Sequence, residues 1–248
     1  MQLKTTPKRG VTTAAIGMLF ALTVSSALAQ RTPDTADMSI KGTVVPGACS
    51  IAFPGGGNLD FGNLPITQFQ GGLYFDGLVS QDVTLAVTCP SPRLVSFAVK
   101  DLQAGTQISD QIARNMINMK LGSTPSAENE FGLGTTDVGG QPVALGVYAV
   151  RMNGTGTIDG VRSFRMHSID GGQSWTEANY LRDGDLFSLG SFATGGGGRL
   201  PIGAGTAVAG REYLIPMSLA AVLNKGTELQ IAQDVELNGR LAFTVYYN

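Results

Sequence analysis

The sequence predicts an all-β fold, and two observations carry this prediction. Apolar and polar residues alternate with period two, which is typical of strands that have one face on a core. This alternation occupies the segments "QDVTLAVTC", "LVSFAVK", "ALGVYAVRM", "YLIPMSL" and "LAFTVYYN". Glycine-rich clusters such as "FPGGGN", "DVGGQP" and "RDGD" separate these segments. Short strands punctuated by turns favour a β-sandwich or barrel.

Composition excludes several classes of protein. The chain has 248 residues with a formal net charge of −2 and no basic cluster, so nothing favours nucleic-acid binding. Its 34 glycines follow no Gly-x-y period, which excludes collagen. A single histidine, His167, and the lack of a Cys-x-x-Cys motif leave a zinc site without ligands. We expect no metal and no cofactor, and we expect His167 at a surface strand position.

Residues 1–29 resemble a secretory signal peptide. Lys4, Lys8 and Arg9 precede an apolar stretch that ends at the small-residue site Ala27-Leu28-Ala29. The alternative is an uncleaved membrane anchor, because the apolar stretch approaches the length that spans a bilayer. Cleavage would give an exported protein that does not span the membrane. Its two cysteines, Cys49 and Cys89, would then form one disulfide in an oxidising compartment.

One helix is predicted within "ISDQIARNMINMKL". Ile108, Ile112, Met116 and Met119 form an apolar stripe, with Asp110 near the start of the helix. A polar strand or loop is the alternative for this segment. The later segment "ATGGGGRLPIGAGTAVAG" has the composition of a flexible loop.

The stretch "SIDGGQSW" matches the spacing S-x-D-x-G-x-[ST]-W, which resembles the Asp-box of β-propeller glycosidases. Propellers carry such motifs on successive blades, whereas this chain has one copy. We interpret it as a structural turn in which Asp170 caps the turn, Gly171 or Gly172 takes positive φ and Trp175 packs on the sheet. No Gly-x-Ser-x-Gly motif or acid pair accompanies it. We therefore expect no enzyme activity, and glycoside hydrolysis is a remote alternative.

The two ends of the chain carry a further pattern, in "MSIKGTVVPGACSIAF" and "LNGRLAFTVYYN". Together with "VTLAVTC", they resemble the framework of chaperone–usher pilins, and more closely a sparsely characterised group of secreted proteins encoded near fimbrial genes. The matching positions are Gly42, Val44, Val45, Cys49, Cys89, Leu241, Phe243, Val245 and Tyr247. This resemblance implies an immunoglobulin-like sandwich with an incomplete last strand over residues 42–248. A glycine-rich region would be inserted at about 103–204.

The resemblance also implies a non-catalytic function in a bacterial fimbria. A periplasmic pilus chaperone, and then another fimbrial subunit at the outer-membrane usher, would add the missing strand beside the last strand. The predicted groove residues are Leu241, Phe243, Val245 and Tyr247. Residues 30–41 would be the donor extension, with Ala36, Met38 and Ile40 as its apolar positions. The product would pass through the periplasm to the fimbrium or cell surface.

Two alternatives to strand exchange remain open at this point. The last strand could belong to an ordinary closed sandwich that reaches the end of the chain. The protein could also be a self-contained adhesin or carbohydrate-binding β-sandwich, with the glycine-rich middle as its recognition loops.

Overall fold

A computed structural model describes residues 47–69, 71–154, 156–192, 205–231 and 233–248. The described chain is built almost entirely of antiparallel strands, which confirms the predicted all-β sandwich. The predicted signal peptide, the extension 30–41 and most of the glycine-rich loop lie outside the described residues. The strands are β1 Ser50–Ala52, β2 Gln81–Arg93, β3 Val95–Asp101, β4 Phe131–Gly132, β5 Thr135–Val138, β6 Gln141–Ala144, β7 Gly146–Met152, β8 Gly156–Ile158, β9 Val161–Ser168, β10 Thr176–Glu177, β11 Leu186–Phe192, β12 Gly205–Ala207, β13 Gly210–Leu223 and β14 Leu241–Tyr247.

The strands form two hydrogen-bonded layers that are joined by the β8–β9 hairpin. In one layer β2 lies between β1 and β13, and β7 and β8 pair with the other side of β13. In the other layer β11 lies between β9 and β3, and β14 pairs with β3. The resulting hydrogen-bonded path starts at β1 and ends at β14. The short strands β5 and β6 form a separate hairpin.

The core lies between the two layers and follows the alternation seen in the sequence. In β3, Val95, Phe97 and Val99 are buried, whereas Ser96 and Ala98 are only partly buried. Leu85 and Val87 of β2 are buried in the same way. Burial of such side chains stabilises each strand by roughly 1.5–3 kcal/mol per residue.

The described part of residues 103–204 contributes strands to the sandwich. Strand β7 pairs with β13 over seven residues, from Met152 with Met217 to Gly146 with Leu223. Strand β11 joins β9 to β3 in the other layer. Strands from this stretch therefore take part in both layers, and the expected insertion at about 103–204 stays a prediction.

Two α-helices accompany the strands, α1 Gln111–Leu121 and α2 Gly226–Leu229, together with two short 3-10 helices at Ile66–Phe69 and Ala127–Asn129. Helix α1 occupies the segment that was predicted to be helical. The Asp110 side chain accepts a hydrogen bond from the Ile112 amide at its start, and Gly122 with φ 75° ends it. Within the described part of the chain, no helix has the length and apolar character needed to cross a membrane.

The predicted face of α1 is only partly right: Ile108 and Met116 are partly buried against the residues that pack between the helix and the sheet. Ile112 and Met119 are exposed, whereas Ala113, Ile117 and Leu121 are buried. These three side chains pack on the outer face of β7 and β13, in a small cluster separate from the main core. The sheet presents small residues there, among them Ala149 and Ala220, and these allow the alanine side of the helix to approach closely.

The Cys49–Cys89 disulfide is present, as predicted, with the two Cα atoms 4.2 Å apart. Cys49 immediately precedes β1, and Cys89 is a buried residue of β2. Strand β1 forms only three backbone pairs with β2. The disulfide is therefore a second link that holds β1 to this sheet.

Candidate functional site

The candidate site is the open side of β14. Asn248 N donates to Leu94 O (3.2 Å) at one end of the strand, and Leu102 N donates to Arg240 O (3.0 Å) at the other. In an antiparallel ladder only alternate pairs exchange hydrogen bonds. The four predicted groove residues occupy the intervening positions, so their N–H and C=O groups point away from β3. Among the described residues, β14 pairs with β3 alone.

The side chains of the groove residues lie on the core face of β14. Phe243 pairs with Val99 and Val245 pairs with Phe97, both of which are buried. The β14 side chains are covered less well: Leu241, Phe243 and Val245 are partly buried, and Tyr247 is 39% exposed. A core face that is half open, next to unpaired backbone groups, has the geometry that an added strand would complete.

A cavity of about 270 Å³ lies beside the first half of β14. Leu241 and Phe243 of β14 line one wall, and Leu237 and Gly239 come from the segment before β14. Tyr148 and Leu219 belong to β7 and β13, and Leu133 follows β4. The opposite wall consists of residues 53–61, which follow β1. The cavity therefore lies at the seam between the two ends of the hydrogen-bonded path. The lining residues are Phe53, Gly57, Asn58, Leu59, Phe61, Leu133, Tyr148, Leu219, Leu237, Gly239, Leu241 and Phe243.

Most of the side chains that line the cavity are apolar, and none of them among the described residues is a carboxylate or a base. Tyr148 is 3% exposed, and burial raises the pKa of its hydroxyl, with a smaller contribution from Asp101. The phenol therefore stays neutral. An apolar side chain is the best match to such a wall, because a charged group there would lose its hydration without gaining a partner.

Gly239 keeps the cavity open. A Cβ atom at this position would lie 2.8 Å from the Tyr148 ring and 3.0 Å from a Leu133 methyl group. These distances are shorter than ordinary van der Waals contacts. A side chain at residue 239 would therefore displace the cavity wall.

Sequence reasoning identified the β14 wall and missed the others. Tyr247 lies beyond the cavity, whereas Leu241 and Phe243 line it. Phe53 was missed, although its position between a cysteine-bearing strand and "PGGGN" offered a signal. The proposed donor residues Ala36, Met38 and Ile40 lie outside the described residues.

The "SIDGGQSW" turn has the predicted hydrogen bonds. The Asp170 carboxylate accepts hydrogen bonds from the amides of Gln173 and Ser174 (both 3.0 Å) and from the Ser168 hydroxyl (2.6 Å). Gly171 and Gly172 have φ values of 75° and 91°. Trp175 is partly buried, and its ring lies beside Gly172. The Asp170 carboxylate is thus engaged within its own turn.

His167 lies on β9, where its Nδ1 is 3.2 Å from Asp185 Oδ2. Asp185 Oδ1 is also 3.8 Å from Arg182 Nε, and Arg182 contacts Glu128 at 2.9 Å. These contacts link the side chains of His167, Asp185, Arg182 and Glu128. The described ranges contain no group of three or more His, Cys, Asp or Glu residues arranged to hold a metal ion.

Comparison with known proteins gives two matches. A family model described as "Protein of unknown function (DUF1120)" matches residues 38–149. The protein GltF of Escherichia coli (strain K12) is 26% identical over 259 residues, which covers 97% of this chain and 98% of GltF. The chain is thus similar to a sparsely characterised group of proteins. Its similarity to GltF extends along nearly the whole length of both chains.

Proposed function

We propose that this protein is a non-catalytic structural or accessory subunit of a bacterial fimbria, assembled by donor-strand exchange. A periplasmic pilus chaperone adds a strand to β14 after export. The extension of another fimbrial subunit then replaces that strand at the outer-membrane usher. The observation that carries this proposal is the open side of β14, where unpaired backbone groups border a half-covered core face.

The geometry supports strand addition in two ways. The four groove residues direct alternate N–H and C=O groups outward, which gives a regular row of hydrogen-bonding positions for a peptide backbone. Their apolar side chains and the 270 Å³ cavity offer space for the alternate side chains of that peptide. Main-chain hydrogen bonds would supply affinity, and side chains in the groove would supply specificity.

Capture by a periplasmic pilus chaperone is the first test. The full chain would be co-expressed with a chaperone from a chaperone–usher system, and the periplasmic complex would be isolated through a tag on the chaperone. We expect the double substitution Phe243→Ser and Tyr247→Ser to reduce the recovered complex at least tenfold, because both side chains lie on the core face. The control Thr244→Ser changes an exposed residue of the same strand. Equal capture of wild type and double variant would refute the groove assignment.

Deletion of residues 30–41 separates accepting a strand from donating one. We expect the deletion variant to bind the chaperone normally and to be missing from assembled fibres. A wild-type protein that is stable and monomeric alone, and that the chaperone does not capture, would instead support the self-contained adhesin.

A further inference from the structure

Residues 53–61, which we call the strap, close one end of the groove. They leave the end of β1 at Phe53, turn at Pro54 to Gly57, and line the cavity wall that faces β14. We infer that the strap is a displaceable plug, and that an incoming strand must push Phe53 off Phe243 before it can pair with the first half of β14. This inference rests on the function proposed above.

Phe53 packs against the aromatic ring of Phe243. Its ring centroid lies 5.2 Å from that of Phe243, with the two rings nearly perpendicular at 76°. A strand added to the open side of Phe243 would bring an alternate side chain to the same place. Phe53 and the added strand therefore compete for the face of Phe243.

Few backbone bonds hold the strap. Within the described residues, its backbone hydrogen bonds are the internal turn bond from Gly56 N to Phe53 O (2.8 Å) and a long bond from Gln81 Nε2 to Asp60 O (3.4 Å). The remaining attachment is apolar contact, since Phe53 and Phe61 pack against the main core as partly buried side chains. Displacing the strap breaks side-chain packing and leaves the strand ladders intact.

The glycines of the strap shape this contact. Gly56 has φ 85°, which returns the chain toward Phe53. A Cβ on Gly57 would lie 3.2 Å from the Phe53 ring, so the bare backbone of Gly57 packs close to that ring. Beyond the strap, Gly62 has φ 69° and its amide donates to Asp60 Oδ1 (2.7 Å). The strap is thus bounded by turns at both ends, which suits movement as a unit.

The first experiment measures access to the groove without any partner. The exported protein, its Phe53→Ala variant and the control Leu64→Ala would be compared for fluorescence of the apolar dye 1-anilinonaphthalene-8-sulfonate. Leu64 is also partly buried against the core but does not line the cavity. We expect a severalfold increase for Phe53→Ala and little change for Leu64→Ala. Equal dye binding by the wild type and Phe53→Ala would contradict the inference that the strap covers the groove.

The second experiment measures strand entry, with a synthetic peptide of residues 30–41 as the probe. We expect Phe53→Ala to accelerate association about tenfold, because an aromatic pair and its buried area are lost. The association rate of Phe53→Leu should lie between those of the wild type and Phe53→Ala. Cooperative thermal unfolding would verify that each variant is folded. If the wild type and Phe53→Ala bind the peptide at equal rates, the inference that the strap must be displaced is wrong, but the proposed function is not contradicted. If neither the wild type nor any variant binds the peptide, that result counts against the proposed function. The dye comparison would then still test whether the strap covers the groove.

Discussion

The rings of Phe53 and Phe243 meet edge to face, 5.2 Å apart, at the place where the two ends of the sandwich come together. Phe53 follows the first strand of the hydrogen-bonded path, and Phe243 belongs to the last. Elsewhere the neighbouring strands of this path are joined by backbone ladders. At this seam the described residues contribute side-chain contact alone.

The disulfide should contribute strongly to stability, because it joins the short strand β1 to β2. Closing a loop with a sequence separation of 40 residues stabilises a fold by about 4 kcal/mol in the chain-entropy model. We expect the double substitution Cys49→Ala and Cys89→Ala to lower the free energy of unfolding by roughly this amount. Urea unfolding of the oxidised protein, the reduced protein and the variant would measure it. A loss below about 1 kcal/mol would show that the β1–β2 pairing suffices.

The buried face of α1 can be tested with two isoleucines five residues apart. Ile117 is fully buried against the outer face of the sheet, whereas Ile112 is 56% exposed. We expect Ile117→Ala to lower the free energy of unfolding by about 2–4 kcal/mol. The matched substitution Ile112→Ala should change it by roughly 0.5 kcal/mol or less. Chemical denaturation of both variants measures the difference, and similar losses would contradict the orientation of the helix.

The strands were predictable because their signal is local. Alternation in "LVSFAVK" identifies the core face of β3 without knowledge of its neighbours. The groove was only half predictable for the same reason: β14 shows the same alternation, but nothing local indicates that Leu133 and Tyr148 complete the cavity. Those contacts depend on strand order, which joins residues about 100 positions apart.

The helix face was predicted only in part, for a different reason. The segment carries two apolar stripes, and the larger side chains Ile112, Met116 and Met119 dominate the pattern. The sheet surface favours the other stripe, because its small residues leave space for a closely packed helix. The periodicity of the sequence is compatible with both stripes and does not indicate which one faces the sheet.

The Arg114–Glu130 ion pair should hold α1 in place. Arg114 Nε lies 2.8 Å from Glu130 Oε1, and the Glu130 side chain is fully buried. Burial raises the pKa of Glu130, and the hydrogen bond from Arg114 opposes this shift. We expect Arg114→Met to destabilise the fold by roughly 3 kcal/mol, because it leaves a buried carboxylate without its cation.

Adding Glu130→Leu to Arg114→Met should recover most of the stability lost in the single variant, since it removes the uncompensated charge. A double-mutant cycle from denaturant unfolding measures the coupling. If the two single losses simply add, the ion pair does not hold the helix.

The turn at Asp170 should give a pH-dependent contribution to stability. Hydrogen bonds from Ser168, Ser174 and the amide of Gln173 lower the pKa of the Asp170 carboxyl from its ordinary value of 3.8. The folded protein therefore favours the charged form. The stabilisation is fully present above about pH 5 and is lost as the pH falls below about 4 toward the lowered pKa of the folded state.

Asp170→Asn removes this charge while keeping an amide oxygen as an acceptor. We expect the variant to unfold at a lower temperature than wild type near pH 6, with the gap narrowing steadily toward about pH 2. The control Asp76→Asn changes an exposed aspartate outside the turn and should give no such gap. Thermal unfolding followed by circular dichroism across this range measures both. A gap that does not vary with pH would mean that the turn depends on the shape of the Asp170 side chain rather than on its charge.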